Sequence, residues 1–237
     1  MNKCDIKIMA TKWRRENVLA LCEQLGLDES RDVFYDDRPN GGDAMYTAEK
    51  AWLLPSEEGV THRLLLQDNA IVNPHLAEAM EKIVNEVPDA LVTLFTYNDL
   101  RQFGVSPTKD HVTYVWLKNN CMTGGKGMCM PLKHIDPFVQ WRRSNFPTYP
   151  HDDAALFCWC QINEIDRYCV VPNLVSTHPR LKSLLKHYKK SYSKCFYVGE
   201  VSQMDFRMCE ANMVRLRLPI AIDPEIMKKA KELNEKA

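Results

Sequence analysis

The sequence predicts an α/β protein in which a mixed sheet is flanked by helices and followed by a helical C-terminal extension. Short apolar runs end in polar or acidic residues, amphipathic stretches follow them, and the connections between the two are short. Strands and helices that alternate in this way are typical of the α/β class, and some strands of the second half are expected to be antiparallel. We expect one domain over residues 1–200, with residues 201–237 packed on it as an extension.

The predicted strands are short apolar runs bounded by polar or turn residues, as expected of buried strands. The run at 64–66 is the clearest, because it ends abruptly in polar residues. The stretch at 111–117 is assigned from its partial alternation of apolar and polar side chains. In chain order, the predicted strands lie at residues 6–10, 33–35, 64–68, 90–95, 111–117 and 168–171.

The predicted helices are amphipathic or highly apolar stretches that follow the strands. Gly26 is expected to end the first helix, and Asp43 is expected to cap the start of the second. The charged tail carries apolar residues at helical spacing, which predicts a terminal helix. In chain order, the predicted helices lie at residues 16–25, 43–54, 74–85, 135–143, 154–163 and 223–237.

Composition and charge narrow the class of protein. Hydrophobic residues make up 45% of the 237 residues, which is enough for a full core and argues against disorder. The formal net charge is zero, so any binding to nucleic acid has to come from a local patch. No apolar run approaches the length of a membrane span, and Asp5 and Lys7 interrupt the opening where a secretory signal would be apolar. We therefore expect a cytoplasmic protein without a membrane partner.

The nine cysteines indicate reduced thiols, as in a cytosolic protein, because their number is odd and they are scattered. A zinc site is not favoured. Cys158 and Cys160 are two positions apart on a predicted helix, so they point to different faces. Cys121 and Cys129 lack a partner at the CxxC spacing.

The polar trio Gln67-Asp68-Asn69 at the end of the central apolar run is the main functional signal. Ligands of open α/β sheets bind beyond the carboxyl ends of the strands, where an acid can hold a hard cation and the cation can hold a diphosphate. Asp68 could equally cap the next helix. Arg14 and Arg15, at the end of the first strand, could clamp a phosphate or simply be solvated.

A second acidic group, Asp152-Asp153, opens a predicted helix, and His178 follows a later strand. Acids at a helix start are expected from capping, and the helix dipole lowers their pKa, which keeps a carboxylate ready to accept a proton. A single histidine is more often structural than a ligand. Together with Asp68, these residues all lie at strand ends or helix starts, so they could meet at one edge of a single sheet.

Two further segments have alternative interpretations. Asp36 ends a strand, where it could belong to a turn or accept hydrogen bonds from a base or ribose. The run Gly124-Gly125-Lys126-Gly127 is not a P-loop, because Lys126 is followed by glycine rather than by serine or threonine. It is either a flexible segment over the site or a turn.

A basic segment extends over residues 180–194, with no acid interleaved and with aromatic residues among or just after the cations. A solvated amphipathic helix would account for it. A surface facing the phosphates of a nucleotide or a nucleic acid would account for it equally. Its basic residues are Arg180, Lys182, Lys186, Lys189, Lys190 and Lys194.

Three short motifs occur in an order that resembles the small GT-A-type glycosyltransferases of bacteriophages and prophages. They lie at residues 64–69, 149–153 and 170–178, and the stretches 8–15 and 34–37 fit the same family. The resemblance covers roughly residues 3–200. It implies a GT-A-like, Rossmann-type sheet that binds a nucleotide-sugar donor, expected to be a UDP-sugar, and transfers the sugar to an acceptor hydroxyl.

The resemblance also implies a role for individual residues. Asp153 would be the base that deprotonates the acceptor, and Asp152 would orient it or contact the acceptor. Asp68 would bind a divalent Mn or Mg ion that bridges the diphosphate, with His178 as a further ligand. The donor would contact Thr11, Arg14, Arg15, Asp36, Gln67 and Lys182. The acceptor would contact His151, Gly124, Gly125, Lys186, Lys189 and Lys190.

Asn69 departs from this resemblance, because such enzymes usually carry a second acid in the metal motif. An amide oxygen brings less charge, so either the metal affinity is low or the metal is dispensable. The stereochemical outcome stays open. The acceptor stays open among a carbohydrate, a protein and a hydroxymethylated pyrimidine in phage DNA. Two other functions remain: a nucleotidyltransferase acting on a sugar phosphate, and a non-catalytic nucleotide-binding module.

Overall fold

A computed structural model of the chain describes residues 1–38, 44–96, 125–145, 152–181, 192–193 and 195–200, and the backbone of residues 113–116. Within these residues the chain forms a seven-stranded mixed sheet flanked by helices, together with a small two-stranded sheet. The predicted α/β class is therefore confirmed. The predicted extension over residues 201–237 lies outside the described residues, and the division at residue 200 stays a prediction.

The strands are β1 (Cys4–Thr11), β2 (Val33–Asp36), β3 (His62–Gln67), β4 (Ala70–Val72), β5 (Leu91–Thr93), β6 (Thr113–Trp116), β7 (Gly127–Pro131), β8 (Arg167–Val171) and β9 (Val175–Thr177). The helices are α1 (Arg15–Leu25), α2 (Glu29–Asp32), α3 (Ala44–Trp52), α4 (Leu76–Glu86), α5 (Ile135–Asn145) and α6 (Asp152–Ile162). Single 3-10 turns cover Lys12–Arg14 and Leu132–His134.

The strand order in the large sheet is β2-β1-β3-β7-β5-β8-β6. Strands β2, β1, β3, β5 and β8 run in one direction, while β7 and β6 run against their neighbours. The carboxyl ends of five strands therefore meet at one edge of the sheet. The amino end of β7 lies at the same edge, because Gly127 pairs with Leu66 near the end of β3.

The sheet is buried on both faces. Leu64 and Leu66 of β3 pack into a layer with residues of α1 and α4, whereas Leu65 packs into the opposite layer with residues of α3, α5 and α6. Side chains of a strand alternate between its faces, so a continuous apolar run is expected wherever both faces are covered. This arrangement explains why the run at 64–66 is so clear in the sequence.

Several elements depart from the sequence prediction. The run at 128–131, to which no element is assigned from the sequence, belongs to β7 in the middle of the sheet, and all its side chains are buried. The short α2, β4 and β9 were not predicted either. Gly26 ends α1 in the left-handed conformation, with φ of 66°, as predicted. Asp43 lies outside the described residues. In the part of the chain that is described, no helix is long and apolar enough to cross a membrane.

Candidate functional site

The candidate site lies at the edge where the parallel strands end. Thr11, the last residue of β1, pairs with Asp36, the last residue of β2. On the other side of β1, Met9 pairs with Gln67, the last residue of β3. The backbone N–H of Gln67 also donates to the carbonyl of Lys126, 3.3 Å away, just before β7. These pairings bring residues that are far apart in the sequence to one edge of the sheet.

Asp68 joins the ends of β1 and β3. One carboxylate oxygen, Oδ2, accepts hydrogen bonds from the backbone N–H of Thr11 at 2.9 Å and from its hydroxyl at 3.1 Å. The other, Oδ1, lies 2.5 Å from Nη1 of Arg14. Asn17 of α1 donates to the Asp68 carbonyl at 2.6 Å. Asp68 and Arg14 are both buried, so their ion pair is shielded from water.

The two arginines of the predicted phosphate clamp differ in their surroundings. Arg14 is directed at the strand-end cluster through Asp68. Arg15 is exposed and makes two hydrogen bonds to Glu29 of α2, at 2.8 and 2.9 Å. Glu29 also accepts a hydrogen bond from the hydroxyl of Tyr35. Arg14 is therefore the better placed of the two to contact a ligand at the strand ends.

Asp36 is buried at the end of β2 and is held by neighbouring side chains. Arg38 donates to both of its carboxylate oxygens, at 2.9 and 2.6 Å, and the Thr47 hydroxyl donates at 2.7 Å. These hydrogen bonds, above all those from Arg38, lower the pKa of Asp36 to about 2 despite burial. The Arg38 guanidinium also lies 3.8 Å from the ring centre of Tyr46. The predicted role of Asp36 in donor binding stays a prediction.

Asp152 and Asp153 open α6 at the same edge. Asp152 is buried, and within the described residues its Oδ2 makes no hydrogen bond. Burial, together with the charge of Asp153, raises the pKa of Asp152 to about 8. Oδ1 of Asp153 accepts a hydrogen bond from the N–H of Ala154 at 2.8 Å. Burial therefore favours the neutral form of the Asp152 carboxyl.

Lys126 connects the two acidic groups electrostatically. Burial lowers the pKa of Lys126, and the charge of Arg14 lowers it further. The charges of Asp153, Asp152 and Asp68 act in the opposite direction and raise it. Gly125, next to it, packs against Asp153. The strand-end acid and the helix-start acids predicted from the sequence therefore belong to one cluster.

Lys126 is the main site residue that was not assigned a role from the sequence. It lies in the glycine run that was interpreted as a turn or a flexible segment. Its Nζ lies 5.4 Å from the ring centre of Phe95, which follows the end of β5. The signal was a single lysine placed directly before a buried apolar run. Only the pairing of β7 with β3 and β5 reveals that this lysine faces the site.

Asn69 and His178 lie next to the cluster. The backbone N–H of His178 donates to the Asn69 carbonyl at 2.7 Å, a contact that continues the pairing of β4 with β9. The Asn69 side chain is buried, and its Oδ1 makes no hydrogen bond to any described residue. Nδ1 of His178 accepts the N–H of Arg180 at 3.3 Å. The backbone of His178 is therefore brought beside Asn69, the residue that follows Asp68.

The donor set at Asp68 does not fit a divalent cation well. Both carboxylate oxygens are engaged by Thr11 and Arg14, and a cation would have to displace the guanidinium from a buried position. No three acidic, histidine or cysteine side chains within the described ranges could hold a metal ion together. Asn69 Oδ1 could serve as a ligand, but an amide oxygen and one imidazole leave the charge of the ion uncompensated. Metal binding by Asp68 and His178 stays a prediction that this geometry does not favour.

Several predicted contact residues cannot be placed in the site. Gly125 is described and lies against Asp153, whereas its neighbour Gly124 lies outside the described residues. The remaining predicted contacts that lie outside the described residues are His151, Lys182, Lys186, Lys189 and Lys190.

Comparison with known proteins gave similarity to solved structures only. No family model matches the chain, and no curated protein matches it. A glycosyltransferase involved in the glycosylation of the major capsid of PBCV-1 aligns with 11% identity and a TM-score of 0.37, covering 76% of this chain and 94% of that one. The inositol-1-phosphate CTP transferase from T. maritima aligns with 11% identity and a TM-score of 0.39, covering 76% of this chain and 73% of that one. With TM-scores this low, neither likeness assigns a function to this chain.

Proposed function

We propose that the protein is a glycosyltransferase that moves a sugar from a nucleotide-sugar donor, expected to be a UDP-sugar, to a hydroxyl acceptor. One observation carries the proposal: two cations, Arg14 and Lys126, and an acid pair, Asp152 and Asp153, lie at the same edge of an α/β sheet. Cations at strand ends suit a diphosphate, and a carboxylate beside them suits a base.

In the proposed reaction, the acceptor oxygen attacks the anomeric carbon of the donor sugar. The bond between that carbon and the phosphate oxygen breaks, and the nucleoside diphosphate leaves with the bonding electrons. Asp153 accepts the proton of the acceptor hydroxyl. Asp152 keeps its own proton at neutral pH, because its pKa is raised to about 8, and its hydroxyl can donate a hydrogen bond that orients the acceptor.

The negative charge that develops on the leaving diphosphate supports a role for the cations at this edge. The leaving diphosphate gains negative charge as the bond breaks, and fixed cations in a partly buried site stabilise that charge more strongly than water does. Lys126 is such a cation, because burial has already removed much of its hydration.

A nucleotidyltransferase is the second candidate, and the cation pair supports it equally. In that reaction the phosphate of a sugar phosphate attacks the α-phosphorus of a nucleoside triphosphate, and pyrophosphate leaves. The attacking phosphate is already ionised, so no base is needed. The acid pair Asp152-Asp153 favours the glycosyltransferase, because only that reaction has to remove a proton from a hydroxyl group.

The test is product release from a panel of nucleotide sugars, with divalent cations and separately with a chelator. Slow hydrolysis of one donor to its nucleoside diphosphate is expected, and Asp153→Asn should slow transfer about 100-fold or more. Asp89→Asn, in an exposed ion pair at the amino end of β5, is the matched control. Pyrophosphate release from a triphosphate and a sugar phosphate, unaffected by Asp153→Asn, would favour the second candidate. Absence of nucleotide binding and of both products would overturn the proposal.

The specific acceptor that we propose is a hydroxymethylated pyrimidine in DNA. The basic and aromatic composition of residues 180–197 supports this choice, and the zero net charge limits it to a local contact. A salt-sensitive affinity for DNA that disappears when Lys186, Lys189 and Lys190 are changed to glutamate is the expected result. No DNA binding at low salt would overturn the choice of acceptor and leave the reaction class untouched.

A further inference from the structure

We infer, on the basis of the proposed function, that Arg14 and Lys126 form a cationic site that binds the donor diphosphate without a divalent metal ion. Arg14 is fixed by Asp68 after β1, and Lys126 precedes β7 at the same edge of the sheet. Lys126 brings a positive charge to this edge, and Arg14 brings a guanidinium group whose charge Asp68 balances. The groups that contact the diphosphate are therefore side chains of the protein and not a bound metal ion.

The first step is the position of Arg14. Its Nη1 lies 2.5 Å from Oδ1 of Asp68, and both side chains are 7% exposed. Thr11 donates to the other oxygen through its N–H and its hydroxyl, which fixes the carboxylate in place. Asp68 therefore holds a guanidinium group at the strand end, where a metal-binding acid would hold an ion. A guanidinium has five N–H donors in a planar arrangement that suits phosphate oxygens.

The second step is the state of Lys126. Among the described residues, no carboxylate lies within ion-pair distance of its Nζ. The side chain is partly buried, so it has lost part of its hydration, and no ion pair with a described carboxylate replaces that hydration. Three carboxylates nevertheless act on it from a longer range, those of Asp153, Asp152 and Asp68. A diphosphate placed next to Lys126 would supply the paired anion that these more distant acids do not.

The third step is the balance of charge. The acid pair is not fully ionised at neutral pH, because burial and the charge of Asp153 raise the pKa of Asp152 to about 8. Its total charge is therefore smaller than that of two free carboxylates, which lowers its repulsion of an incoming diphosphate. Asp68 is neutralised by Arg14. An anionic ligand would thus meet the charge of Lys126 and the guanidinium of Arg14, whose charge Asp68 already balances, beside an acid pair that is not fully ionised.

The experiment is the calorimetric binding of UDP to the full chain, in excess chelator and in excess magnesium or manganese. GDP, dTDP, ADP and CDP are measured in the same way, because the base is not known. We expect one diphosphate to bind in chelator with an affinity within about 3-fold of that in metal. Lys126→Met should weaken binding in chelator about 10-fold or more, since it removes a charged hydrogen-bond donor. Lys133→Met, at an exposed lysine near the other end of β7, should leave the affinity unchanged.

A second variant addresses Arg14 without leaving a buried charge unpaired. The double change Arg14→Gln with Asp68→Asn keeps a neutral hydrogen-bonded pair and should also weaken diphosphate binding about 10-fold. Binding that appears only when magnesium or manganese is added, with Lys126→Met equal to wild type, would overturn this inference and leave the proposed glycosyltransferase intact. Absence of nucleotide binding under both conditions would overturn the inference and the proposed function together.

Discussion

A Cβ atom on Gly125 would lie 3.1 Å from the Cβ of Asp153, closer than most Cβ contacts in proteins. The absence of a side chain at position 125 therefore lets the start of α6 approach the strand edge. We predict that Gly125→Ala displaces Asp153 by a few tenths of an ångström and lowers the rate of transfer about 10-fold, because displacements of this kind weaken a positioned base. Donor affinity, which we propose to depend on Arg14 and Lys126, should change little. Steady-state kinetics and donor calorimetry separate the two effects.

A graded series makes this test sharper. Gly125→Val should slow transfer more than Gly125→Ala, since a larger side chain displaces Asp153 further. Thermal unfolding of both variants shows whether the effect is local. Equal transfer rates for wild type and both variants would show that the contact between residues 125 and 153 has no part in the reaction.

The buried carboxyl of Asp152 predicts a pH dependence of stability. Its pKa in the folded chain is about 8, against an ordinary value of 3.8, because burial and the charge of Asp153 disfavour ionisation. The stabilisation that the Asp152 carboxyl contributes is thus fully present when the pH is below its ordinary pKa of 3.8. It declines as the pH rises and is lost once the pH passes about 8. The asparagine side chain in Asp152→Asn cannot ionise. The stability of this variant relative to wild type should therefore increase from about pH 5 to about pH 9.

Urea unfolding across this pH range measures the effect. Asp89→Asn is the control, because Asp89 is exposed and the hydrogen bond and charge of Lys133 lower its pKa. Asp89 is therefore ionised in both the folded and the unfolded chain throughout that range, and its replacement should add no pH dependence. A stability difference between Asp152→Asn and wild type that stays constant with pH would contradict the raised pKa of Asp152.

A strand could be predicted from the sequence when its own residues indicate it, and not when it depends on pairing with a distant part of the chain. The central run at 64–66 is apolar on both faces, so the sequence alone indicates a buried strand. Strand β7 is equally buried, but it begins within a glycine run and is antiparallel to both neighbours. Strands β4 and β9 have three residues each and form only because they pair with each other across about 100 residues of chain. No local pattern could reveal that pairing.

The candidate site also has features that could be predicted from the sequence and features that could not. The positions of Asp68, Asp152 and Asp153 at a strand end and a helix start follow from local sequence, and the prediction that they meet at one edge is consistent with their joint effect on Lys126. The ion pair between Arg14 and Asp68 could not be predicted, because it depends on the register of β1 against β3. Because of that ion pair, Asp68 is interpreted as the residue that holds Arg14 and not as a metal ligand.

The exposed indole of Trp13 predicts a contact with the donor base. Trp13 is 71% exposed in the turn between β1 and α1, directly before Arg14. Stacking of a base on an aromatic side chain is worth about 1–3 kcal/mol. Within the proposed function, Trp13→Ala should weaken nucleotide binding by about 10-fold, while Trp13→Phe should retain most of the affinity. Leu19→Ala, at an exposed apolar residue of α1, is the control in the same calorimetric titration. Unchanged affinity for Trp13→Ala would place the base elsewhere.

The last prediction concerns the opposite end of the sheet, where Arg63 is 2% exposed. Its guanidinium donates to both carboxylate oxygens of Asp5, at 3.0 and 2.7 Å, and to the carbonyls of Trp52 and Leu54, at 2.5 Å each. Arg63→Met would leave the partly buried carboxylate and both carbonyls without these donors. We expect the free energy of unfolding to fall by about 3–5 kcal/mol, as measured in urea.

A double variant and an exposed ion pair test the reason for that loss. Arg63→Met combined with Asp5→Asn also removes the carboxylate charge, which would otherwise keep only Lys7 at 3.7 Å and the Ser56 hydroxyl as partners, so it should recover part of the stability. Lys82→Met breaks the exposed pair with Glu78 on α4 and should cost no more than about 0.5 kcal/mol. If Arg63→Met costs no more than Lys82→Met, the carboxylate of Asp5 must be solvated in the folded chain, and the burial of this polar network would contribute nothing to stability.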